Sequence, residues 1–184
     1  MIYLVNLISI IIVILFLLTA TDKVLHWNTH INTVINYRIL HNSLIKPITI
    51  LMIIAEFYIC VSLLFKGANY YNLFVFLSLL IVYTTAIVIN LVRGNVNMSC
   101  GCGSVFESSN LNFGLVIRNS LLVLVYLFVF LNNEYTLSQL NFYDTSVLIG
   151  LSIWLVLIWA IVKEFLDGKK ILEKVLKIFH LEVN

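Results

Sequence analysis

Charge is scarce in this chain, and that scarcity excludes whole classes of protein. Only 11% of the 184 residues are Asp, Glu, Lys or Arg, against about 25% in an ordinary soluble domain. Meanwhile 61% are hydrophobic, arranged in repeated apolar runs of the length that crosses a bilayer, for which a soluble core has no use. The runs are continuous rather than alternating apolar and polar, which excludes a transmembrane barrel. Proline is nearly absent: Pro47 stands alone and is predicted to open a helix, where its missing N–H loses no bond. Three cysteines are too few for the disulfide framework of a small secreted domain. A formal net charge of +2, with the lysines gathered near helix ends, gives nucleic acid nothing to hold, so no nucleic-acid partner is expected. What remains is an all-α polytopic membrane helix bundle, about five transmembrane helices with interfacial amphipathic helices, read as a single integral membrane domain over residues 1–184.

The predicted spans cover residues 2–20, 47–65, 73–92, 115–131 and 147–162. The first has no basic stretch ahead of it and no small-residue cleavage site, so it reads as a retained helix rather than a signal peptide, ended by Asp22 and Lys23. Over residues 21–45, Val24, Trp27, Ile31, Val34, Ile35 and Arg38 recur at roughly helical spacing among polar residues. That pattern predicts an amphipathic helix on the membrane surface or across the bundle end. His26, His30 and His41 lie there and read as polar-face residues rather than metal ligands. Residues 168–181 read as a basic interfacial helix, with Ile171, Leu172, Val175, Ile178 and Phe179 opposite Lys170, Glu173, Lys174 and Lys177.

Five spans place residues 21–45, the loop over 93–113 and the C-terminus on one side. Ten of the eleven basic residues, all but Lys66, fall there. The positive-inside rule then predicts a protein of the plasma membrane with that loop and the C-terminus cytoplasmic.

The loop holds the chemistry. Cys100 and Cys102 stand one residue apart among glycines, between Arg93 and Arg118. Thiol chemistry runs through the thiolate, which nearby cations favour and which must be reachable. A disulfide across one intervening residue closes a strained ring, better suited to passing electrons than to stapling structure. The other readings are two incidental thiols or a soft-metal site, since two thiolates suit Cu(I) but are an incomplete set for zinc. No metal ligand is assigned. Cys60, inside an apolar span, reads as a small hydrophobe.

Glu56 lies well inside the second span, where a carboxylate is costly and needs an interior partner. Lys23, Arg118, Asn90 and Tyr83 are the candidates. The residue reads as a proton or quinone site, as an anchor beneath the cysteine loop, or as a structural bond between helices. Arg118 and Asn119 either pair with it or hold the loop. A quinone is the one cofactor these readings admit.

The run Leu91-Val92-Arg93-Gly94, then Cys100-Gly101-Cys102-Gly103, then Arg118-Asn119 at the head of an apolar helix resembles the methylamine-utilisation MauE family. That family falls within the wider DoxX-like group of redox-associated membrane proteins. Lys23 after the first helix, Tyr37-Arg38-Ile39-Leu40 before the second and Glu56 inside it fit the same pattern, and the likeness covers roughly residues 16–130. One departure is visible: the family usually has Phe-Gly after the second cysteine, and this chain has Gly103-Ser104. The resemblance implies a membrane thiol–disulfide protein working beside an exported thioredoxin-like partner to form or maintain disulfides in client proteins. In the methylamine systems the client is the dehydrogenase small subunit. An exported partner favours an outward cysteine loop, whereas the charge count places it inward. The alternatives are an assembly or binding protein without turnover and a soft-metal-handling membrane protein.

Overall fold

A computed structural model describes residues 2–96, 98–101, 110–132 and 141–182, excepting the side chains of 167, 170, 171 and 173–182. All regular structure among the described residues is helical: α1 (Ile2–Leu25), α2 (Trp27–Asn36), α3 (Asn42–Lys66), α4 (Tyr70–Val92), α5 (Phe113–Leu131) and α6 (Phe142–Glu182). Five helices are long and apolar enough to cross a membrane, namely α1, α3, α4, α5 and the Phe142–Leu166 part of α6. This is the polytopic helical bundle that the apolar runs predict, an integral membrane protein in contact with the lipid bilayer.

Local chemistry sets the helix ends. The Asn69 side chain accepts a hydrogen bond from the Asn72 N–H at 2.9 Å, and Asn112 accepts one from Leu115 at 3.2 Å. Each satisfies an orphan donor at the head of α4 or α5. Gly67 ends α3 at φ 67°, a conformation that only glycine adopts without strain.

α1 is the hub, packing against α3, α5 and α6, while α3 contacts α4 and α4 contacts α5. Helices α1, α3, α4 and α5 therefore close around one core, with α6 laid along the outside of α1. Aromatic stacking joins three of them: the rings of Phe76 and Tyr126 lie 4.0 Å apart, and Phe16 sits 5.4 Å from Phe76. Ile12, Ile59, Leu63 and Val129 fill the space around them. In lipid there is no hydrophobic drive between helices, so such close packing, with hydrogen bonds, holds the bundle. α2 crosses the end of the bundle against α3 and α1.

Beside small shifts at the heads of α4, α5 and α6, three departures from the sequence reading have a clear physical cause. α1 does not stop at Asp22 and Lys23 but runs to Leu25, because Lys23 has a partner inside the bundle. α3 starts at Asn42, so Pro47 is its sixth residue rather than its first. The bond lost there is the one to Ser43, an exposed residue at the helix head, so the interior placement costs little. The basic C-terminal segment continues α6 as one unbroken helix rather than forming a separate one.

Candidate functional site

Lys23 from α1, Glu56 from α3 and Tyr83 from α4 meet inside the bundle. Lys23 and Glu56 are each 1% exposed and form an ion pair through Lys23 Nζ and Glu56 Oε1. The Tyr83 hydroxyl donates to the same carboxylate oxygen at 2.6 Å and accepts from Lys23 Nζ at 2.7 Å. The ammonium also lies 4.7 Å from the centre of the Tyr83 ring, within cation–π range. Two of the four candidate partners of Glu56 are thus its partners. Asn90 is not: its amide donates to its own helix at Ala86 O, 3.0 Å away.

Arg118 and Asn119, at the head of α5, line one small cavity with Lys23, Glu56 and Tyr83. Arg118 donates to Asn119 Oδ1 at 3.2 Å, and Asn119 in turn donates to Thr84 Oγ1 at 3.2 Å. Glu56 Oε2 is buried with no hydrogen-bond partner among the described residues. The bundle therefore holds a carboxylate with one oxygen saturated and the other left over, beside a cavity of about 40 Å³ that has room for a water molecule.

Cys100 belongs to a second buried cluster at the bundle end, with Tyr37, Ile87, Leu111 and Leu115, and is 5% exposed. The loop is pinned there from several sides. The Tyr37 hydroxyl donates to Ser99 O at 3.1 Å, and Leu111 N–H donates to Val96 O at 2.9 Å. Arg93 donates to the carbonyls of Tyr37 and Arg38 at 3.3 and 3.2 Å, tying the end of α4 to the α2–α3 connection. Gly101 has φ 61°, and a Cβ there would stand 3.0 Å from Thr33 Cγ2 and 3.7 Å from His30 Nδ1. Both the backbone conformation and the close approach to α2 require glycine. Cys102 lies outside the described residues. Cys60 is a core residue, its thiol 3.6 Å from Val13 O.

His30 joins the two halves of the site. Lys23, His30 and Gly101 line one cleft of about 30 Å³, so the ion pair lies directly beneath the loop. His30 is 8% exposed, and its Nε2 has no partner among the described residues. Burial first, and the Lys23 charge second, lower its pKa from 6.5 to about 4, with Asp22 opposing. His26 and His41 are exposed, and His26 pairs with Asp22 at 3.1 Å. Among the described residues no three His, Cys, Asp or Glu side chains come together as a metal site.

The neutral His30 makes the docked bundle end sensitive to acid. An undocked imidazole takes up a proton below its ordinary pKa of 6.5, while the docked one resists down to about 4. The stabilisation is therefore complete above pH 6.5 and is lost as pH falls towards 4, by roughly 3 kcal/mol as an upper bound. Amide exchange in α2, corrected for intrinsic rates, should accelerate across that window and flatten in a His30→Gln variant. An unchanged slope in the variant would place the acid sensitivity elsewhere.

A family model described as methylamine utilisation protein MauE matches residues 1–132. The matched stretch takes in α1 to α5 and both loop cysteines. No curated protein and no solved structure matches the chain.

Proposed function

The chain belongs to the MauE family of methylamine utilisation, and from that premise we propose that it is a membrane thiol–disulfide redox protein acting on the disulfides of client proteins with a thioredoxin-like partner. Cys100 and Cys102 exchange between dithiol and disulfide by thiolate attack through a mixed disulfide with the partner. Arg93 ties down the α2–α3 connection beside the loop, Arg118 and Asn119 brace the bundle beneath it, and Lys23 with Glu56 forms its charged floor. The observation that carries this reading is the seat of Cys100: its loop is held against α2 and the connection after it through Gly101, Ser99 and Arg93, with Cys100 on the wall of a cavity from which a small oxidant can reach it. An incidental thiol in a connecting loop does not need such fixing.

The same charge distribution that orients the spans seats this loop at the cytoplasmic face of the plasma membrane. One experiment tests both chemistry and side. Membranes and intact cells are treated with a membrane-impermeant, mass-tagged thiol reagent, with and without reductant and oxidant. The expected result is a one-tag shift in opened membranes that disappears on oxidation and in Cys102→Ser, since Cys60 and Cys100 are buried, with no shift in reduced intact cells. Thiols that stay fixed under oxidant would leave the assembly-protein reading in front. Labelling from outside would reverse the orientation and seat the partner on the exported side.

A further inference from the structure

A cavity of about 400 Å³ lies between α2, α3 and α4, and Cys100 and Gly101 form part of its wall. Its volume falls within the range of sites for small molecules, which are mostly apolar with a few placed polar groups. Val34, Ile48, Met52, Ala86 and Ile89 supply apolar wall; His30 and Tyr83 are among the few polar side chains. Ile81 and Val82 are also on the wall and are 62% and 49% exposed. Both belong to the membrane-spanning helix α4, so the mouth opens to lipid rather than to water.

We propose that this cavity binds the head of a lipid-soluble quinone, which takes two electrons from the Cys100–Cys102 dithiol. The proposal rests on the redox reading above and names its electron acceptor. Three features select this occupant. None of the described lining residues is Lys, Arg, Asp or Glu, so they offer no counter-charge to a phosphate-bearing nicotinamide or flavin cofactor. An acyl chain would fill the apolar wall but would leave the His30 imidazole unused. A quinone head presents apolar ring faces to the wall and carbonyl oxygens to hydrogen-bonding groups. The His30 imidazole is part of the wall; its Nε2 is buried without a partner among the described residues, and a turn of the ring on binding would present that nitrogen to a quinone oxygen.

The step balances without outside protons. The two thiols lose two protons and two electrons as the S–S bond forms, and the quinone's two carbonyl oxygens become the hydroxyls of a quinol. Tyr83 is on the cavity wall and also bonds to Glu56 and Lys23. It is a positioning residue, holding that wall against the buried ion pair.

The test uses the full chain, reduced and purified in detergent under anaerobic conditions, with a photoreactive short-tailed benzoquinone. Crosslinks are expected on peptides of α2, α3 or α4, competed away by unlabelled quinone but not by phospholipid. Ala86→Trp, which fills the cavity, and Ile81→Trp, at its mouth, should each weaken crosslinking at least tenfold. Leu124→Trp, on exposed α5 surface remote from the cavity, should not. Cys100→Ser should still crosslink but form no quinol, and His30→Phe should weaken binding where His30→Gln partly preserves it. Crosslinks displaced by phospholipid, or insensitive to both tryptophans, overturn the site. If binding fails while the cysteines still cycle against a chemical oxidant, the quinone assignment falls and the redox function stands. If the cysteines are fixed under every oxidant, the function itself falls, whatever the crosslinks show.

Discussion

Glu56→Lys should all but eliminate the protein from the membrane, whereas Glu56→Gln should accumulate at a readily measured level. Lys23 and Glu56 are each 1% exposed, so neither charge can be relieved by solvent. Removing one member of a buried ion pair costs about 3–5 kcal/mol, chiefly because the other charge is left without compensation. Lysine at 56 goes further and sets two ammonium groups against each other in low dielectric. A charge at the centre of a span already costs about 3 kcal/mol on insertion scales. Glutamine is milder because its carbonyl still accepts from Tyr83 and Lys23. The double variant Lys23→Glu with Glu56→Lys restores opposite signs and should recover part of the loss. Quantitative membrane immunoblots with a thermal-shift series decide it; equal amounts of Glu56→Lys and Glu56→Gln would mean that this pair does not hold α1 to α3.

The spans were legible because bilayer crossing is written locally, as unbroken apolar runs. The buried pair was only half legible. Glu56 announced itself, since a carboxylate deep in a span must find a partner, and the partner set of Lys23, Tyr83, Arg118 and Asn90 included the two that bond to it. In the sequence Lys23, beside Asp22, also reads as the end of the first span. A lysine beside an aspartate looks the same whether it faces water or is drawn inward, and what draws it inward stands 33 residues away. The long stem of lysine makes both fates available.

His30 was hidden for a related reason. On a short amphipathic helix a histidine among Asn and Thr reads as polar face, and its burial comes from tertiary packing, with α1 residues Asp22 and Lys23 on one side and Gly101 of the cysteine loop close by. The spacing Cys-Gly-Cys pointed to the loop as the chemical centre but not to the apolar cavity beside it. That cavity is walled jointly by residues of α2, α3 and α4, a tertiary arrangement with no local signature. The join between the last span and the basic tail was misplaced because a change in composition does not break a helix when no glycine cap or proline interrupts it; Gly168 sits within α6 without ending it.

The burial of Cys100 also predicts which cysteine meets the partner. At 5% exposure Cys100 is beyond the reach of a protein-sized disulfide, so under the proposed redox function exchange with a thioredoxin-like partner should fall to Cys102, with Cys100 resolving the mixed disulfide. Cys100→Ser should therefore trap the partner as a stable mixed disulfide through Cys102, while Cys102→Ser should trap little or none. Both variants should abolish client disulfide formation. Neither should remove the chain from the membrane, because its fold rests on the Phe16, Phe76 and Tyr126 packing and the Lys23–Glu56 pair rather than on this sulfur. Non-reducing gels of each variant, beside the client's redox state, make the comparison. Trapping through Cys100 alone would invert the assigned roles, and normal client oxidation in the double-serine variant would end the redox function altogether.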